Sequence, residues 1–275
     1  MERKIEEQTP IPNTAALEQN GRTGGVLLDY LKCDAVGVKI DDINRSFGDN
    51  HVLRGVNLNI EPGETVVILG KSGSGKSVLM RHIVGLECPD TGRIFVAGED
   101  INDPEFHRNH VLAMVFQSSA LFNSLTVGEN VALYIREHKI FTDESRIKEL
   151  ISSALEIVGL QGKEDVMPST ISGGMKRRVA AARALVMNPD VILFDEPTAG
   201  LDPMMTRTMG DLICDLKHQV KITQIVVTHD IDLAFYVADR IAILSEGRIL
   251  EVGTPDQIRS STNSGVIDFI KPQFE

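Results

Sequence analysis

Tryptophan is absent, aromatic residues make up 5% of the chain, and cysteine occurs three times, at Cys33, Cys88 and Cys214. An odd count without metal-ligand spacing speaks against a disulfide framework or a zinc site and fits reduced cytosolic thiols. No stretch approaches the ~18 consecutive apolar residues that a membrane-spanning helix requires. Behind Met1-Glu2-Arg3-Lys4 there is no apolar core of the kind a secretory signal carries. Positive charge is also in short supply. Against 39 Asp+Glu stand 28 Lys+Arg, and a net charge of −11 argues against a surface that grips nucleic acid by its phosphates. What is present is ordinary for a globular protein: 42% apolar in 275 residues, enough for one large domain or two modest ones.

Within this plain composition, Gly70-Lys71-Ser72-Gly73-Ser74-Gly75-Lys76-Ser77 satisfies G-x-x-x-x-G-K-[ST]. It follows the apolar run Thr65–Leu69 and precedes an expected helix over residues 78–84. A strand entering a glycine-rich turn and then a helix makes a phosphate cradle. Backbone N–H groups turn inward, Lys76 reaches the outer phosphates, and Ser77 can ligate Mg²⁺. The bland alternative, a flexible Gly/Ser loop, does not account for the strand–loop–helix context.

Residues 1 to about 35 lack periodicity and read as a disordered or loosely docked tail, with a short helical turn at residues 26–31. Two β-rich runs flank Gly48-Asp49-Asn50, a hairpin signal. Strands are expected at 92–96 and 111–116, and a helix over 144–158 places Ile147, Leu150, Ile151 and Leu155 on one face. Then follow a helix 175–187, a strand 191–194, a helix 203–218, a strand 225–228, a helix 231–238, a strand 240–244 and a hairpin at Gly247. Alternating strands and helices imply a mostly parallel sheet covered on both faces, with an antiparallel section at the N-terminal end.

The strand at 191–194 runs into Asp195-Glu196, at the C-terminal edge where open α/β sheets place ligands. Asp195 would hold Mg²⁺ beside Ser77, and Glu196 would take a proton from attacking water. Gln117 and His229 end two further strands. Gln117 could touch the metal or the water, and His229 the γ-phosphate. Phe47 could stack on adenine, although a core aromatic is the simpler reading of it.

Ile171-Ser172-Gly173-Gly174-Met175, joined in order to the phosphate loop, Gln117, Asp195-Glu196, Ala199-Gly200-Leu201-Asp202 and His229, resembles the ATPase subunit of an ABC transporter over roughly residues 38–260. That resemblance implies an α/β fold of the P-loop NTPase class: a RecA-like, mostly parallel sheet core, an antiparallel β subdomain and an α-helical signature subdomain. It implies a tail at 1–36, an ATPase domain at 37–257 with its helical subdomain near 118–178, and a C-terminal tail at 258–275. ATP and Mg²⁺ are the implied ligands, with Asp202 joining the nucleotide set. Ser172, Gly173 and Gly174 would contact the γ-phosphate held by a second copy of the chain. A Ser-Gly-Gly turn opening a helix is a second anion cradle, and a chain with one complete cradle already has a use for another only in a partner.

Met175 stands where the commonest signature has Gln, and Lys176-Arg177-Arg178 follow. Three cations at a helix start oppose its dipole, so a local anion or partner carboxylate is expected to compensate. This run, with residues 120–131 and Arg136-Glu137-His138, is similar to the Mla/Mce-type subfamily of bacterial phospholipid transporters. That similarity implies lipid cargo, membrane permease subunits, a lipid-binding Mce-type protein and a place on the cytosolic face of the inner membrane. Residues 118–138 would dock the permease. The alternatives are another cargo (amino acid, metal chelate or drug), a non-transport ATPase of translation or DNA repair, and a regulator that does not hydrolyse nucleotide. A single phosphate loop, the absence of sustained heptads and the acidic balance weigh against a nucleic-acid role.

Overall fold

The computed structural model describes residues 25–32 and 34–270. In chain order they form α1 (Gly25–Tyr30), β1 (Val38–Phe47), β2 (Asn50–Ile60), β3 (Thr65–Leu69), α2 (Lys76–Ile83), β4 (Thr91–Val96), β5 (Glu99–Asp100), α3 (Phe106–Asn109), β6 (Leu112–Val115), α4 (Val127–Glu137) and α5 (Glu144–Ile157). Then come a 3₁₀ turn (Pro168–Thr170), α6 (Gly173–Leu185), β7 (Val191–Asp195), α7 (Pro203–Val220), β8 (Thr223–Thr228), α8 (Ile231–Val237), β9 (Arg240–Ser245), β10 (Arg248–Gly253), α9 (Pro255–Arg259) and α10 (Ser264–Ile270).

Two sheets carry the fold. One is antiparallel, in the order β2-β1-β4-β5; the other runs β10-β9-β3-β8-β7-β6, parallel except for the edge strand β10. β3 and β8 are buried along their whole length, polar Thr65, Thr223, Gln224 and Thr228 included, as strands in a sheet covered on both faces should be. Their residues alternate between two cores. Val67, Leu69, Ile192, Phe194 and Val226 face α4 to α8, while Val66, Ile68, Leu193, Ile225 and Val227 face α2 and the antiparallel sheet. Side chains cap most of the larger helices. Thr126 and Glu129 form a capping box on α4, and Asp143, Ser172, Asp202 and Asp230 cap α5, α6, α7 and α8.

Expected and observed elements agree to within a few residues. α6 starts at Gly173 because Ser172 caps it, and β6 stops at Val115, leaving Phe116 and Gln117 beyond the ladder. The N-terminal segment differs more. Of the tail expected over 1–36, residues 25–32 dock firmly, and residues 1–24 lie outside the described part. Leu27 is fully buried and Leu31 nearly so against the helical core. The Leu27 N–H donates to Ser153 Oγ of α5 at 3.0 Å, and Lys32 Nζ reaches both Asp190 oxygens at 2.9 and 3.0 Å. α1 therefore spans α5 and the start of β7. At the other end, Val266 and Ile270 of α10 are buried on the chain's own domain, and residues 271–275 lie outside the described part.

Leu27→Ala removes a side chain with no solvent exposure, and the expected loss is about 2–5 kcal/mol in denaturant unfolding. A loss below about 1 kcal/mol would show that α1 does not rely on that packing.

Candidate nucleotide site

The loop between β3 and α2 is a backbone cradle. Gly73 and Gly75 take φ of +81° and +105°, a region that costs other residues strain. A Cβ on Gly70 would lie 2.3 Å from the Leu244 carbonyl oxygen and 2.7 Å from Ser74 Oγ, so only glycine fits. The hairpin joining β9 to β10 clips the loop in place. Gly247 N–H donates to the Ser74 carbonyl at 3.2 Å, and its own carbonyl accepts from Arg54 N–H of β2 at 2.9 Å. Lys76 is 6% exposed and donates to the carbonyls of Gly70 and Lys71 at 2.7 and 3.1 Å. Burial pushes its pKa down, and the nearby Glu196 charge opposes that fall. Ser74 Oγ is buried without a hydrogen-bond partner, while Lys71, Ser72, Gly73 and Ser77 are exposed at the rim. A glycine cradle, an orphaned hydroxyl and a poised ammonium fit a phosphate chain.

Across from the cradle, β7 ends in Asp195, and the Glu196 N–H extends its ladder by donating to the Val227 carbonyl at 2.8 Å. Glu196 turns out of the strand at φ +44°. Its Oε1 lies 3.7 Å from Lys76 Nζ, and its Oε2 accepts from Thr228 Oγ1 at 3.1 Å and the His229 N–H at 3.2 Å. His229 Nδ1 is 2.8 Å from the same Oε2. The Asp195 pKa is raised, chiefly by burial and then by the Glu196 charge, so a cation placed beside it would be well received. That chemistry, with the exposed Ser77 hydroxyl near the start of α2, fits Mg²⁺.

Of the residues named from sequence, the structure gathers Lys76, Asp195, Glu196 and His229. Gln117 is exposed and enters the network through its carbonyl, which accepts from Arg177 Nε at 3.3 Å. Phe47 is 46% exposed, with the Arg45 guanidinium 4.7 Å from its ring centre, so it is not a core aromatic. Asp202 spends a carboxylate oxygen capping α7, accepting from the Met205 N–H at 2.9 Å. Ser172, Gly173 and Gly174 open α6, and a Cβ on Gly174 would meet Met205 Sδ at 2.9 Å. Among the described residues, no hydrogen bond joins these three to the phosphate loop of the same chain.

Within the chain, among the described residues, no carboxylate pairs with Arg177 or Arg178. Carbonyl oxygens take that part: Arg177 donates to Gln117, Pro197 and Ala199, and Arg178 to Val158 and Gly159, where α5 ends. The C-terminal dipole of α5 thus offsets the charge of Arg178. Thr228, which holds Glu196, was not singled out from sequence, although it sits next to His229. Arg183, which donates to the carbonyls of Ser119 and Ala120, was missed as well.

A nucleotide cradle at the carboxyl edge of a parallel sheet, facing a held glutamate and accompanied by an antiparallel sheet and a helical lobe, defines a P-loop ATPase fold. A family model described as "ABC transporter" matches residues 53–199, over half of the chain, and the chain belongs to that family. It is 40% identical over 221 residues to the Fe(3+) ions import ATP-binding protein FbpC of Photorhabdus laumondii, covering 80% of this chain and 62% of that one. With the sulfate/thiosulfate import ATP-binding protein CysA of Synechococcus elongatus it shares 40% identity over 244 residues, 88% of this chain and 70% of the relative. The chain thus spans about three fifths of the length of the ferric-ion relative. Among solved structures, the dimeric post-hydrolysis state of the ATP-binding cassette MJ0796, bound to ADP and Pi, superposes with a TM-score of 0.70 at 32% identity. That match covers 79% of this chain and 98% of the other.

Gly70→Ala should weaken MgATP binding on the order of tenfold or more, because the added methyl cannot coexist with the Leu244 carbonyl. Titration with a fluorescent ATP analogue reads this directly, and an unchanged Kd would mean that the loop relaxes freely.

Proposed function

We propose that this chain is the ATP-binding and ATP-hydrolysing subunit of a membrane transporter. The observation that carries the reading is Glu196, held by Thr228 and His229 and facing Lys76 across the cradle. Lys76 would turn from the loop carbonyls to the outer phosphates, with Gly70 to Ser77 enclosing them. Phe47 would offer the adenine its free face. Ser77, Asp195 and Gln117 would hold Mg²⁺, which when bound offsets charge on the phosphate oxygens. A Glu196 oxygen takes the proton of a water as that water's oxygen attacks the γ-phosphorus, and ADP leaves. His229 holds the carboxylate through Nδ1 and its backbone N–H and would contact the γ-phosphate of a bound nucleotide.

Two copies would close head to tail, each placing Ser172, Gly173 and Gly174, with Asp202 near them, on the nucleotide of the other. Support comes from the separation of the two cradles in one chain and from the dimeric state named for MJ0796. No helix among the described residues is long and apolar enough to cross a membrane, so transport would need separate permease subunits, with this chain docked peripherally on the cytosolic face of the inner membrane. Residues 118–138, where Phe122 is 52% exposed, are the proposed contact.

For cargo, relatives named for ferric-ion and sulfate/thiosulfate import weigh toward a small solute or metal chelate over a lipid. The lipid reading, with its Mce-type partner, rests on the sequence resemblance alone: the run from Ser172 to Val179 with Met175 in place of Gln, residues 120–131 and Arg136-Glu137-His138. Isolating the native complex from membranes and analysing it for metal, anion and lipid distinguishes the two. Bound phospholipid without metal would reverse the preference stated here.

Glu196→Gln should lower phosphate release by about 10²–10⁴-fold while leaving ATP binding intact, and an ATP-bound dimer should accumulate in size-exclusion chromatography. Turnover equal to wild type would rule Glu196 out as the base.

A further inference from the structure

We propose that Arg177 is a positioning residue for hydrolysis, fixing the turn after Gln117 and the turn after Glu196 to one helix so that the carboxylate points at its water. This rests on the ATPase reading above. Arg177 is 8% exposed, on the first turns of α6. Its Nε donates to the Gln117 carbonyl at 3.3 Å, Nη1 to Pro197 at 3.0 Å and Nη2 to Ala199. No carboxylate pairs with it among the described residues, and burial lowers its pKa. A buried guanidinium without a counter-ion is poor value as a stabilising device. Its advantage is geometric: a planar fork of five donors holds three carbonyls in two separate loops at fixed angles, which the compact, freely rotating ammonium of a lysine does less rigidly and an apolar side chain not at all.

Both loops need such support. Ser119 and Ala120 lie in the turn after Gln117 at φ +63° and +44°, and Glu196 opens the other turn at +44°. None of these is a glycine, so each holds its shape only when its surroundings impose it. Arg183, further along α6, donates to the Ser119 and Ala120 carbonyls at 3.0 and 2.8 Å, which anchors the far side of the first turn. In the second turn, the Ala199 N–H donates to the Glu196 carbonyl at 3.1 Å and Leu201 N–H to Thr198 at 3.0 Å. Arg177 grips this turn at both Pro197 and Ala199, directly behind the glutamate. Because α6 begins with the signature residues Ser172 to Gly174, the same side chain fixes the cradle offered to a partner relative to the catalytic carboxylate. The hydrogen bonds of the Arg177 guanidinium go to backbone carbonyls of the two turns, so its proposed action runs through these turns.

The test uses the full chain with Arg177→Lys, which keeps charge without the fork, and Arg177→Met, which keeps length without charge. Phosphate release gives kcat and KM, a fluorescent ATP analogue gives Kd, and amide hydrogen exchange reports on the two turns. Both variants should lose roughly ten- to a hundredfold in kcat with KM and Kd within about twofold of wild type. Exchange should rise at Ser119, Ala199 and Leu201 and stay unchanged in β3 and β8. If the lysine variant keeps wild-type kcat, or if exchange at these turns is unaltered, the proposal is wrong. A rise in exchange throughout the chain would make Arg177 a general stabiliser and equally defeat it. If wild type itself releases no phosphate, the ATPase reading fails, and exchange at the two turns still decides whether Arg177 holds them.

Discussion

The parallel register of β3, β8 and β7 governs the chemistry of this molecule. Leu69 lies opposite Thr228 and Asp195 opposite Val227, so the strands end level with one another. One step beyond those ends stand Gly70, His229 and Glu196. A slip of one residue in any strand would turn its apolar side chains from one core to the other, and both cores are closed. The carboxyl edge is therefore as fixed as the hydrophobic packing beneath it. Loops that would wander on a looser scaffold begin here from set positions.

Around that edge, charge is managed mainly by backbone groups. The Lys76 ammonium rests on two carbonyls and Arg177 on three, while Glu196 accepts from a backbone N–H and a hydroxyl as well as facing a histidine. Dipoles held in place by the fold need little rearrangement when a ligand's charge arrives or shifts, which is the condition for electrostatic catalysis. Burial and then the Glu196 charge push the Asp195 pKa up, and Lys76 and Arg81 oppose that rise.

How much of this could be read beforehand depends on how local each feature is. The phosphate loop and the Asp195-Glu196 pair announce themselves because each lies within eight consecutive residues that carry both shape and chemistry. The strands around them were legible from unbroken apolar runs. The docking of α1 was not, because six residues with two leucines have no periodicity to distinguish them from a tail; only the distant Ser153 and Asp190 give them a place. Arg177 and Arg178 were noticed as charges, but a search for opposite charges could not find their partners. Carbonyl oxygens belong to every residue and leave no mark in a sequence. Cargo was the least legible, since a permease and not this chain would bind it, and the signature variation that suggested lipid lies in a phosphate-type cradle.

The position of β3 carries a consequence for how the molecule comes into being. It lies between β8 and β9, both made more than 150 residues after it, and its loop is clipped by Gly247. A chain leaving the ribosome would therefore emit this wholly buried strand long before either neighbour exists. That strand must wait, shielded by chaperones or by provisional contacts with α2 and the early hairpin, until nearly the entire polypeptide has emerged. Nascent fragments halted before residue 223 would have a phosphate loop in sequence but neither of the strands that flank β3 to shape it.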